Sequence, residues 1–351
     1  MTDDRTRGLG GAVDWEVAAR TGVRLVRPGP RSTREDAERV VAELADASVR
    51  AEGPVRDVTR LADGLPVPQA RIVDRSGWIR AASASMANLT GDDADTRTGL
   101  LGGRPAGMQA GAMLAFLSSA ILGQYDPFTG DHGTLLLVAP NVVAVEKALK
   151  VSPTDFRLWV CLHEVTHRVQ FSSAPWIADY MRETVATLGE IGDESVLDVA
   201  SRLTGALQAL RQGGKDQPPE ERGIVGLLRA TQAEPQREAL DRLLMLGTLL
   251  EGHADHVMDA VGPDVVPSVA RIRRAFDQRR ATQSNPVQRL LRALLGVDAK
   301  MAQYVRGKAF VDAVVERAGM TEFNAIWTGP QTLPLPEEIG NPQAWIDRVL
   351  A

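Results

Sequence analysis

Residues 152–171, SPTDFRLWVCLHEVTHRVQF, decide how this chain is read. Ser152 can cap a helix, Pro153 suits the first helical position, and Asp155 suits the positive end, so a helix is predicted from Pro153 to about Phe171. Residues four apart lie on one helical face. His163 and His167 can therefore turn two imidazoles toward one metal ion, with Glu164 one residue round, beside the metal's open position. The flanks are strongly apolar (Phe156, Leu158, Trp159, Val160, Leu162, Val165, Val169, Phe171), which predicts burial. Buried ionisable groups need partners, and a metal supplies them. Cys161 faces another side and reads as a small buried hydrophobe.

Catalytic zinc takes three protein ligands and leaves room for water. Of five histidines, two lie in this motif and two in LLEGHADH, residues 249–256. Within that second segment, on a helix expected from about Pro235 to Ala260, Glu251 is the expected third ligand. Asp255 shares its face and is expected to orient a ligand histidine through the ring N–H. Gly252 would let the two helices approach closely. His253 and His256 are the rival third ligands, although they are rotated from Glu251 by roughly 200° and 140°. The expected cofactor is one Zn²⁺ per chain. Glu164 would act as general base in cleaving a peptide or amide bond, with His256, Tyr125, Tyr180 and Tyr304 as candidate transition-state donors.

Other features bound the fold and the partners. The chain has 351 residues, 44% of them hydrophobic, enough for large cores. Its net charge of −5 excludes the broad basic field that nucleic acid or an anionic membrane would require. The N-terminus lacks the apolar segment of a secretory signal and a single cysteine cannot form an internal disulfide, so a cytoplasmic location is expected. No apolar run reaches the length of about 20 residues that spans a bilayer; Met108 to Leu122 reads instead as a buried helix.

Residues 1–12 are Gly-rich and charged and read as a flexible terminus. From Ser32, a possible cap, Val40, Val41, Leu44 and Ala47 recur at helical spacing. Gly64–Pro68 breaks the chain before RIVDRSGWIRAAS, a short strand leading into a helix. Gly123–Phe128 and Gly133–Ala139 read as strands, the second either a core strand or an edge to which an extended peptide adds. Beyond residue 175 the pattern is helical, with breaks at 211–220, Gly262-Pro263, 284–286 and TLPLPEE near the end. The expected class is mainly α (α+β), with a small-sheet and motif-helix part over about 66–175. A helical part over about 176–351 then supplies the third ligand.

These segments carry a resemblance. VDW (13–15), RPGP (27–30), LGQYDPF (122–128), LLLVAPNVVAVEKAL, the motif helix with Pro175-Trp176, LLEGHADHVMD and LLGVDAKMAQYVRGKAFVDAVV resemble an actinobacterial family of zincin-like hydrolases associated with biosynthesis of the deazaflavin coenzyme F-420. The resemblance covers nearly the whole chain. It implies a mostly helical zincin-like fold with a metal at the HExxH helix, the motif falling on His163, Glu164 and His167 with Glu251 as the further ligand, and it implies no substrate. The 83 residues between His167 and Glu251 are more than the wider zincins use. Two other classes stay open: a zincin-like scaffold without turnover, and a carboxylate-bridged di-iron bundle. The latter lacks its second Glu-x-x-His pair, because Ala254 stands three after Glu251.

Overall fold

The computed structural model describes residues 13–91, 103–189, 234–282 and 297–351. Near the N-terminus, α1 (Trp15–Leu25) is capped by Asp14 and α2 (Arg34–Arg50) by Thr33, one residue after the expected Ser32. A third helix, α3 (Glu52–Thr59), follows directly. Val40, Leu44 and Ala47 of α2 are buried as their spacing predicts, while Val41 faces solvent. After the Gly64–Pro68 break come β1 (Arg71–Val73) and α4 (Arg75–Thr90), then α5 (Arg104–Leu117).

The sheet holds three strands in the order β1–β3–β2, with β2 (Gly123–Asp126) and β3 (Thr134–Val138) placed where the turn signals bounded them. β1 runs parallel to β3, and β2 runs antiparallel to it with Gly123 opposite Leu137 and Tyr125 opposite Leu135. β3 is thus the central strand, paired on both sides. It has no free edge, and the expectation that it receives an added peptide strand does not hold. Its unbroken apolar run reflects cover on both faces. Leu135 and Leu137 join the core around the motif helix, and Leu136 and Val138 join Trp78 and Ile79 of α4 on the other face.

α6 (Ala139–Leu149) leads into the motif helix α7 (Pro153–Ser173), capped by Ser152, whose side chain accepts from the Asp155 N–H at 3.4 Å. Two buried arginines lock α7 in place. Arg157 forms a two-pronged pair with buried Glu146 of α6 (2.7 and 3.0 Å) and reaches Glu43 of α2; Arg168 pairs with buried Glu52 of α3 and donates to the Pro68 carbonyl at 2.7 Å. Cys161 is fully buried, and burial pushes its thiol out of the reactive range.

A second core assembles α8 (Trp176–Gly189), the first half of α9 (Glu234–Val265), α11 (Val297–Ala318) and the C-terminal segments α12 (Met320–Phe323) and α13 (Pro342–Val349). α9 kinks at Gly262 (φ 70°), where the Gly-Pro pair predicts a break, and α10 (Val269–Thr282) follows. The last half of α9, through Val257 and Met258, joins the first core, so this one helix serves both. The predicted breaks at 211–220 and 284–286 lie outside the described residues.

α5 corrects one expectation. Gly107, Gly111 and Ala115 form its buried stripe, and a Cβ on Gly107 would lie 2.4 Å from the Asp14 carbonyl oxygen of the segment leading into α1. The small residues are the packing face, so Met108, Met113 and Phe116 point outward, and the helix is not buried all round. No helix among the described residues is long and apolar enough to cross a membrane.

Candidate metal centre

His163 and His167 sit one turn apart on α7, and α9 crosses that face with Glu251 toward them. The two Nε2 atoms are 3.2 Å apart, and Glu251 Oε2 lies 3.4 Å from His163 Nε2 and 3.9 Å from His167 Nε2. Ligand atoms about 2.05 Å from a tetrahedral zinc stand about 3.3 Å from one another, so this triangle has the size of one tetrahedral face. Among the described residues, this is the one group of three or more metal-binding side chains close enough to share an ion. Two imidazoles and a carboxylate, with the fourth position left to water, make a donor set suited to catalytic zinc.

Glu164 is buried beside this triangle, with its side chain laid against Gly123 at the start of β2. Burial raises its pKa to about 7, with His163 pulling it down and Glu251 pushing it up. For His163, burial disfavours the charged form, yet the hydrogen bond and charge of Glu251, together with the charges of Glu164 and Asp255, prevail and lift it to about 9. His167 is lowered, by burial first and by His163 next. One site thus carries two carboxylates and two imidazoles whose charges strongly interact, a state that a divalent cation relieves by replacing protons.

The other expected residues have partners of their own where their side chains are described. Asp255 lies 3.8 Å from Arg273 of α10 and is near enough to raise both motif histidines, but the atom facing His167 Nδ1 is Gln170 Oε1, at 2.9 Å. His256 turns to α11, where its Nδ1 meets Asp312 at 2.7 Å. His253 is fully buried against Phe323 and Trp327, and burial holds it down at about 3. His256 thus faces α11, and the His253 ring packs on the C-terminal segment with its Nδ1 2.9 Å from Gln170 Nε2, so neither rival joins the triangle. The Tyr125 hydroxyl donates to the His132 carbonyl at 2.9 Å, and Tyr180 packs edge-on to Trp176. Tyr304 belongs to α11, but its side chain lies outside the described residues.

Two positions in contact with the site escape a reading by motif. Gln170 stands three residues after His167, a spacing that places it on the same face and was available as a signal. Gly123 gave no local signal, because its contact with Glu164 spans 41 residues of sequence.

The helical fold, the small sheet beside an HExxH helix and the two-histidine, one-carboxylate triangle define a zincin-like protein. In agreement, residues 13–346 match the model of a family described as zincin-like metallopeptidase, and the chain belongs to that family. A solved structure from Chloroflexus aurantiacus, described as "a putative hydrolase with a novel fold", is 30% identical, covers 96% of this chain and 98% of its own, and superposes with a TM-score of 0.66. Among curated proteins, none matches.

Proposed function

We propose that the protein is a metallopeptidase, or a related amide hydrolase, that holds one zinc ion through His163, His167 and Glu251. The observation that carries this reading is the triangle of ligand atoms at tetrahedral spacing with Glu164 buried beside it. Bound zinc supplies Lewis acidity, which polarises a carbonyl and eases loss of a proton from water. Glu164 receives that proton and returns it to the leaving nitrogen; its wall of Gly123 and apolar core keeps the carboxylate in one place and out of bulk water. The F-420-associated family that the chain resembles gives context for this chemistry without naming a substrate.

A cleft of about 250 Å³ bears on the substrate class. Its walls include Tyr125, two residues beyond Gly123 on β2, and Phe171, one turn beyond His167 on α7, with Pro66, Pro68 and Pro175. Tyr125 and Phe171 lie on β2 and α7, the two elements that also carry Gly123 and the motif histidines, so a peptide or small amide with an apolar group near its scissile bond suits it best. A cytoplasmic site of action accords with the single buried cysteine.

Metal content by elemental mass spectrometry tests the reading. Wild type, Glu164→Gln and His256→Ala should each hold about one zinc, and His163→Ala and Glu251→Ala should lose it. Hydrolysis of casein or a peptide library should then require Glu164. A wild type that takes up no zinc under any loading condition sinks the hydrolase reading, and a zinc-loaded but inert wild type favours a scaffold without turnover.

A further inference from the structure

The amide of Gln170 is fixed by one neighbour that can only accept. The Leu250 carbonyl lies 2.9 Å from Gln170 Nε2, so the nitrogen, with its two hydrogens, must be on that side. The second hydrogen meets His253 Nδ1, also at 2.9 Å, and the amide oxygen is left facing His167 Nδ1 at 2.9 Å. The proton positions of both histidines follow. His167 must carry its proton on Nδ1, which leaves the lone pair of Nε2 free on the side of His163 and Glu251. His253 must leave Nδ1 bare and carry its proton on Nε2.

His253 is an odd choice for its surroundings. It is fully buried between Phe323 and Trp327, with ring centroids 5.3 Å from each, and its Nε2 has no hydrogen-bond partner among the described residues. Phenylalanine or leucine would fill such a space without burying an unmet N–H. Either would leave the second Gln170 hydrogen without an acceptor, and the Nδ1 lone pair is what the histidine uniquely supplies there. The relay also joins the two helices that bear the ligands, since Leu250 immediately precedes Glu251.

We propose that Gln170, backed by His253, is the positioning residue of the metal centre: it fixes His167 in the tautomer that ligates through Nε2 and holds Glu251 in register with α7. This rests on the zinc-site reading given under Proposed function. Partners of this kind commonly contribute 10–100-fold to metal affinity.

The experiment is long-range ¹H–¹⁵N NMR on protein labelled with ¹⁵N-histidine and stripped of metal, paired with zinc affinity by chelator competition. Wild type should show His167 protonated at Nδ1 and His253 at Nε2. Gln170→Leu should mix the His167 tautomers and weaken zinc by roughly 10–100-fold. Gln170→Glu, which keeps an acceptor for His167, should recover part of that loss, whereas a merely structural role would leave the two variants alike. Should Gln170→Leu fail to fold, His253→Phe keeps the stacking and removes the acceptor, and it should still weaken zinc. A wild-type His167 protonated at Nε2, or a folded Gln170→Leu that binds zinc as tightly as wild type, overturns the proposal. A wild type that binds no zinc defeats the functional reading instead, and the tautomers of the stripped protein still report on the relay.

Discussion

The missing side chain of Gly123 is what leaves room for Glu164. A Cβ there would sit 2.6 Å from Glu164 Cγ and 2.8 Å from its Oε1, closer than carbon and its neighbours approach. Gly123→Ala must therefore push the carboxylate away or distort β2. Overpacking of this kind costs about 1–3 kcal/mol, so stability should fall by that amount and the midpoint of thermal unfolding should drop. The three atoms nearest the new methyl all belong to Glu164 and none to a proposed ligand, so zinc content should match wild type while peptide hydrolysis falls. Loss of zinc in Gly123→Ala would show that Glu164 and the metal site are not separable in this way. At this scale the sequence is legible where chemistry follows helical spacing: His163, Glu164 and His167 could be placed by counting along one helix. Glu251 was readable too, from the distribution of histidines around it and its position on a long periodic segment. The Gly123 contact was not, because it depends on how a strand docks against a helix far along the chain.

At the scale of elements, α9 must present Glu251 at one angle and one height above α7. Gly252 was expected to allow close approach to the motif helix, but its backbone instead meets Gly307 of α11, where an added Cβ would fall 2.3 Å from the Gly307 carbonyl carbon. Gly307 in turn lies against Thr248, its own would-be Cβ 2.2 Å from the Thr248 carbonyl oxygen. The ligand-bearing turn is thus clamped from behind by α11. Gly307→Ala sets a methyl against backbone, which cannot rotate away, and should destabilise the fold by about 1–3 kcal/mol in urea. It should also weaken zinc, since Thr248 and Gly252 flank Glu251; equal stability and equal zinc affinity would mean that α9 and α11 do not cross so closely. Which helix a glycine serves is a tertiary fact, and the same holds for β3. Its run of Thr134–Val138 marks a buried strand, but an apolar run does not say whether its partners lie on one side or two.

Across the whole molecule, the proposed metal site ties together parts of the chain that the cores hold separately. His163 and His167 belong to a helix embedded in the first core, and Glu251 belongs to α9, whose earlier turns build the second core and whose later turns join the first. An ion held by all three binds the folded chain and has no preformed site in the unfolded one, so zinc should stabilise by mass action. At a free concentration of a hundred times Kd the gain is about 2.7 kcal/mol. Calorimetry of wild type with zinc and after chelation should show that difference as a fall in Tm of several degrees, and Glu164→Gln should show the same fall because its proposed role is not ligation. Glu251→Ala should unfold at one temperature with or without zinc, whatever its own baseline, since the comparison is made within each variant. A zinc-dependent shift that survives in Glu251→Ala would place the third ligand elsewhere, and the assignment of α9 as the helix that closes the site would fall with it.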